Sequence, residues 1–173
     1  GEDVYSFDFS ALTIEGKYQA YVPGIGVSDP FEVGAAVLHN AAHTTARGLY
    51  YQRCGIALQS PYAESCFARA AEHQNDAVLH SSLASCELCS PTESPGTRVD
   101  ARGGWHDAGD FGKYLPTAAA SLWYLFTAYD MRPDKFADGA WNIPESGNGV
   151  PDLLDEARCE VDWIARVQAA DGV

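Results

Sequence analysis

Asp107 and Asp110 lie in the run Gly103-Gly104-Trp105-His106-Asp107-Ala108-Gly109-Asp110-Phe111-Gly112-Lys113-Tyr114. Only Ala108 and Gly109 separate the two acids, so little bulk keeps both carboxylates from addressing one small object. A water molecule suits such a pair, because two close acceptors orient it and one can take its proton as a general base. The same residues admit a local reading. In it, Asp110 stands near a helix N-terminus, accepts backbone N–H groups and favours the helix dipole.

Composition narrows what such a pair can act on. The 173 residues fit one domain, or one domain plus a piece of another, and 46% apolar with 20% charged residues is a globular balance. A formal charge of −13 argues against nucleic acid or an anionic membrane surface as partner, whereas a neutral polyhydroxylated ligand is indifferent to it. No apolar run is long enough to span a bilayer, and Gly1 in place of Met suggests a processed or truncated start. Five cysteines (Cys54, Cys66, Cys86, Cys89 and Cys159) leave at least one free, metal-bound or paired outside the chain.

The elements that must carry the acids can be read from periodicity. Tyr5, Phe7 and Phe9 alternate with polar neighbours, as do Tyr18, Ala20 and Val22 after a turn at Glu15-Gly16. Val27 to Val33 adds a short edge strand, with Pro30 inside it. From Gly34 the period becomes helical, with Ala35, Leu38, Ala42, Thr45 and Leu49 on one face and Gly55 as the stop. Residues 56 to 104 form a long aperiodic stretch, of the kind that is usually functional or metal-tied. A second helix is predicted through Leu115, Ala118, Ala119, Leu122, Leu125, Phe126 and Tyr129, with Pro116 tolerable in its first turn. A third opens at Pro151 and runs through Leu154, Ala157, Val161, Ile164 and Gln168, with Asp152, Asp155 and Glu156 as helix-start charges. Three helices joined by such long loops do not make a tight bundle and point to part of something larger.

Four segments, in order, resemble glycoside hydrolase family 9, the inverting cellulases. They are Tyr51-Gln52-Arg53-Cys54-Gly55, Phe67-Ala68-Arg69 ahead of His73, the Gly103–Tyr114 run, and Ile143-Pro144-Glu145-Ser146-Gly147-Asn148-Gly149-Val150-Pro151-Asp152-Leu153-Leu154-Asp155-Glu156. The resemblance implies a mainly α chain: a partial (α/α)6 barrel over residues 34–173, preceded at residues 1–33 by remnant strands of an immunoglobulin-like β domain. It also implies hydrolysis of β-1,4-glucosidic bonds in cellulose or related β-glucans with inversion. Asp110 then resembles the general base, and Asp107 its partner in holding the attacking water. In inverting glycosidases the acid and base stand roughly 6.5–9.5 Å apart, leaving room for that water.

The family's general acid is a glutamate far downstream in an Asn-Glu context, and no position here matches it. Glu145 and Glu156 belong to other matched segments, so neither takes that role. The expectation is a truncated N-terminal part of the catalytic domain, inactive and loosely ordered without the remainder of its barrel. Two rivals stay open: an exo-acting glucosidase or glucosaminidase of the same family, and a carbohydrate-binding product that has lost the acid. The resemblance places the protein outside the cell, as a secreted enzyme.

Some relatives carry a structural zinc, and the matching positions here are Cys54, Glu72, His73 and His106, with Glu72 where the second cysteine would stand. A carboxylate can ligate zinc, so that set is chemically possible. Cys86-Glu87-Leu88-Cys89 offers a rival half-site, and a disulfide between loop cysteines is a third reading. Calcium occurs in several relatives, but no calcium cage is specified by the matched segment, and no cofactor is required for the chemistry. His39 and His43 read as helix residues, and His80 has no partner pattern. Trp105 and Trp141 fall in loops and are the candidate sugar platforms, while Trp123 and Trp163 fall in helical patterns and read as core.

Overall fold

The structure, a computed structural model, describes residues 6–79 and 98–168. The chain divides into two compact units, Gly1–Thr45 and Ala46–Val173. In the first, β1 (Gly16–Tyr18) pairs antiparallel with β4 (Phe31–Val33), and β2 (Tyr21–Val22) with β3 (Gly26–Val27). The result is a nested hairpin turning at Pro23-Gly24, where Gly24 takes a φ of +81° that a side chain would resist. Phe31 packs its ring on Phe9 and Tyr18, at centroid distances of 5.2 and 6.3 Å. The strand expected around Phe7 and Phe9 does not form over the described residues 6–9. The Asp8 carboxylate instead accepts the Ser10 N–H at 2.9 Å, and this local turn competes with extension. Tyr5 lies outside the described residues.

The unit boundary falls within α1 (His39–Gln52), which starts later than the helical period suggests. Its inward face is also different. Arg47 and Tyr50 are buried, whereas Leu38, Ala42 and Thr45 are exposed and only Leu49 of the expected stripe packs inward. Arg47 is tolerated inside because carbonyls satisfy it: its guanidinium donates to the oxygens of Trp141, Asn142 (3.1 Å) and Tyr62 (2.9 Å). An arginine buried this way is invisible to an apolar period. Gly55 takes a φ of +82° three residues past the helix.

α2 (Leu115–Met131) and α3 (Asp152–Val167) carry the rest of the core. α2 presents Ala118, Leu122, Leu125 and Tyr129 inward at helical spacing, and Pro116 occupies its first turn. Trp123 turns outward, 64% exposed, which corrects its assignment to the core. α3 buries Leu153, Glu156, Ala157, Glu160 and Trp163, while Val161 and Gln168 of the expected face are exposed. Its first-turn acids are more than dipole charges. Asp152 is fully buried and accepts the main-chain N–H groups of Gly139 (2.8 Å) and Trp141 (2.6 Å) and the Ser146 hydroxyl (2.8 Å).

Two apolar clusters result. One joins Tyr50, Leu58, Ala63, Trp141, Ile143 and Leu153; the other joins Trp105, Leu122 and Ala157. A short antiparallel pair, β5 (Ala77–Leu79) with β6 (Arg98–Asp100), brackets residues 80–97. His80 and the Cys86/Cys89 half-site therefore lie outside the described residues. Among those described, no helix is long and apolar enough to cross a membrane.

Candidate active site

The acidic run is stitched onto the end of α1. Cys54 N–H donates to Gly104 O at 2.7 Å and His106 N–H to Gln52 O at 2.8 Å, so residues 104–106 run antiparallel to 52–54. Beyond them the chain makes a closed turn. Asp107 N–H donates to Gly112 O (2.7 Å) and Phe111 N–H to Ala108 O (3.0 Å), with Phe111 held at a φ of +59°. Asp107 and Asp110 are both exposed on this turn. One Asp110 oxygen, Oδ1, accepts the Gly112 N–H at 2.9 Å. Asp110 does not cap the helix that follows: the capping position of α2 is Tyr114, and no side chain bonds there. Capping of α2 is thereby removed from the local reading, and what remains of it is the bond accepted from Gly112 N–H.

Asp107 also lines a cavity of about 120 Å³ with Gln52, Trp105, Tyr114, Ser121 and Glu160 among its walls. Asp110 is not among the lining residues, so the two acids share the turn but not the cavity. Trp105 forms part of the wall with its ring buried in the second core cluster, its indole N–H donating to Glu156 Oε1 at 2.8 Å. Trp141 is enclosed in the first cluster at 5% exposure, so its ring cannot serve as an open sugar platform. The loop was the misleading cue there, because Asp152 and Arg47 pull that loop inward through its main chain.

Charged residues with no role assigned from the sequence support the turn. Arg53, 4% exposed, spans Glu156 (3.1 and 3.2 Å) and Glu145 (3.0 and 3.2 Å). Burial disfavours its charge, but Glu156 and Glu145 outweigh that and hold the guanidinium above its ordinary value. Lys113 Nζ gathers Asp76 Oδ2 (3.0 Å), the carbonyls of Gly103 (3.2 Å) and Ala101, and Cys54 Sγ (3.5 Å). It thus ties the two strands of chain that enter the site. Arg53 and Lys113 both sit inside the quoted segments, yet a motif names a residue without naming its partners.

Burial pushes the Glu160 carboxyl up to about 7, against the lowering effect of the Trp105 N–H and Lys113. Its folded value lies above its unfolded one, so the native state binds the extra proton between roughly pH 4.5 and 7. Relative to Glu160→Gln, the protein is therefore expected to lose stability as pH rises through that window, by at most about 1.4 kcal/mol per unit. Melting curves from pH 4 to 8 check this. A difference that grows with pH in favour of the glutamate contradicts it.

Of the four candidate metal ligands, three come together. One ligand atom each from Glu72, His73 and His106 lies within 4.8 Å of the others. His106 fits the role: burial, then Arg69, lowers its pKa to about 4, leaving the ring neutral, and its buried Nε2 has no hydrogen-bond partner. Glu72 also contacts Arg69, a cation that a metal would have to displace. Cys54 does not join the group. Its thiol faces Lys113 Nζ at 3.5 Å and Asp76 Oδ2 at 3.7 Å instead. The four-ligand set thus reduces to a two-histidine, one-carboxylate set. Among the described residues, Cys54, Cys66 and Cys159 are free thiols.

The model of Glycosyl hydrolase family 9 matches residues 15–173. Endoglucanase D of Acetivibrio thermocellus is 36% identical over 171 residues, covering 99% of this chain and 26% of that protein. A metagenome-derived glycoside hydrolase family 9 endoglucanase superposes with a TM-score of 0.78 at 41% identity, over 95% of this chain and 28% of its own. A Zn-binding triple mutant of the family 9 endoglucanase J30 gives 0.78 at 33% identity, over 95% and 30%. The chain spans about a quarter of the length of the curated relatives it matches.

Proposed function

The chain belongs to glycosyl hydrolase family 9, and from that premise we propose that it supplies the water-activating half of an inverting β-1,4-glucanase. The observation that carries this reading is the turn 107–112, closed by two main-chain hydrogen bonds, which exposes Asp107 and Asp110 three residues apart. With Oδ1 of Asp110 engaged by Gly112 N–H, its other oxygen has no hydrogen bond among the described residues. That oxygen is the base. It takes a proton from a water that Asp107 helps to orient, and the water attacks the anomeric carbon from the face opposite the leaving group.

Protonation of the leaving oxygen falls to a residue outside this chain. Glu156 is fully enclosed and, like the partly exposed Glu145, is bonded to Arg53, so both carboxylates are engaged in holding a buried cation and neither stands free as an acid. On this reading the segment works inside a longer (α/α)6 catalytic domain, and the stretch 1–33 is the end of an immunoglobulin-like one. A polymeric glucan does not cross a membrane, which puts the enzyme outside the cell.

Proton NMR of early cello-oligosaccharide hydrolysis by the full-length protein tests the proposal. The first new reducing end is expected as the α-anomer, and a β-anomer refutes inversion. A fast fall in viscosity of soluble cellulose supports endo action, slow fall with steady sugar release the exo-acting rival, and no turnover a binding product.

Glu72, His73 and His106 would hold a divalent ion such as zinc, which would brace the 72–73 loop against the neighbour of Asp107 and supply structure, not chemistry. After equilibration with zinc and dialysis, bound metal is expected to fall by more than half in His106→Ala and to persist in Cys54→Ala. Loss in Cys54→Ala would restore the cysteine as a ligand.

A further inference from the structure

Glu160 is the least expected residue near the acids: a carboxylate 1% exposed, on the inward face of α3, with its side chain at the wall of the cavity that Asp107 lines. It does not point at solvent or at an opposing arginine. Its Oε2 accepts the main-chain N–H of Trp105 at 2.6 Å, while Glu156, one turn earlier, accepts the indole N–H of the same tryptophan. Trp105 is thus held from α3 at both its main chain and its ring. The backbone just before it lies flat on the helix. Gly104 takes a φ of +74°, and a Cβ there would stand 2.6 Å from Trp163 Cγ and 3.0 Å from Glu160 Oε2. Asp107 follows two residues after Trp105, beyond the His106 N–H bond to Gln52 O.

We propose that Glu160 is a positioning residue, which through the Trp105 N–H sets the height of residues 104–107 above α3 and so places the Asp107 carboxylate. This rests on the hydrolytic reading above. The bond is made to the main chain, so what it controls is where the turn stands and not what sugar is recognised. A misplacement of about 1 Å in a catalytic group can cost on the order of 10²-fold in rate. The effect therefore belongs in kcat and not in KM.

The test compares Glu160→Gln, Glu160→Leu and Glu160→Asp in the full-length protein on a soluble β-1,4-glucan, with Asp110→Asn beside them. Glutamine keeps a carbonyl oxygen for the Trp105 N–H and is expected within about threefold of wild-type kcat. Leucine removes the acceptor and aspartate shortens it, and both are expected to lower kcat on the order of 10²-fold with KM unchanged within about twofold. If the leucine variant does not fold, the aspartate variant carries the comparison. Wild-type kcat in the folded leucine or aspartate variant overturns the proposal, as does a glutamine variant as slow as leucine. An Asp110→Asn protein that retains activity overturns the hydrolytic reading instead, whatever the Glu160 series does.

Discussion

Asp110→Asn is expected to lower kcat on β-1,4-glucan by roughly 10³-fold, with KM and melting temperature close to wild type. The expectation follows from what the carboxylate does in the fold. Its Oδ1 accepts one bond, from Gly112 N–H, within a turn that is otherwise closed by main-chain groups. Asparagine keeps a carbonyl oxygen in the same place, so the turn loses no bond. The residue is exposed and does not cap α2, so neither core nor helix depends on its charge. What disappears is basicity alone. A positioned general base is worth about 10²–10⁴-fold, and the figure above sits within that range. Kinetics of the full-length protein, with a thermal melt alongside, make the check. A variant that loses stability together with rate would show that Asp110 is structural.

The second large effect concerns stability. Arg53→Met is expected to cost about 3–5 kcal/mol, because it strands Glu156 without its countercharge at zero exposure. The guanidinium also sits 5.4 Å from the Tyr50 ring centroid, and its main chain bridges to Trp105, so the loss is felt on both sides of the site. Glu145, the other partner, is partly exposed and can turn to water, which keeps the penalty centred on Glu156. Adding Glu156→Gln should recover a large part of the loss, since the amide no longer carries a buried charge yet still accepts from the Trp105 indole. Urea unfolding of the two single variants and the double variant closes the cycle. An Arg53→Met protein within about 1 kcal/mol of wild type would mean that the pair contributes no more than a surface ion pair.

Much of the fold is legible in the residues because helices α2 and α3 announce themselves by period and by Pro116 and Pro151. What the period misreads is which side faces in. On α3 it selects Val161, but the structure buries Glu156 and Glu160, whose partners Arg53 and Trp105 come from far earlier in the chain. Pairing across such a separation leaves no local trace. Tryptophan fails for a related reason. Trp141 lies in a loop and reads as available, yet Asp152 draws that loop into the core; Trp123 lies in a helix and reads as buried, yet stands on the outer side, one residue past the buried Leu122. The acids at 107 and 110 stand out in the sequence by their short spacing and the glycines around them, but the turn that exposes both is closed by the Gly112 and Ala108 carbonyls and leaves no such mark. Cys54 shows the limit of a matched position: the residue type is right, but a lysine ammonium stands 3.5 Å from its sulfur.

A crystal structure of the full-length protein with a cello-oligosaccharide across the cleft is the most direct measurement. The account predicts an ordered water within hydrogen-bonding distance of both the Asp107 and Asp110 carboxylates, beneath the anomeric carbon of the sugar to be released. A sugar bound elsewhere, or a water held by neither aspartate, would contradict it.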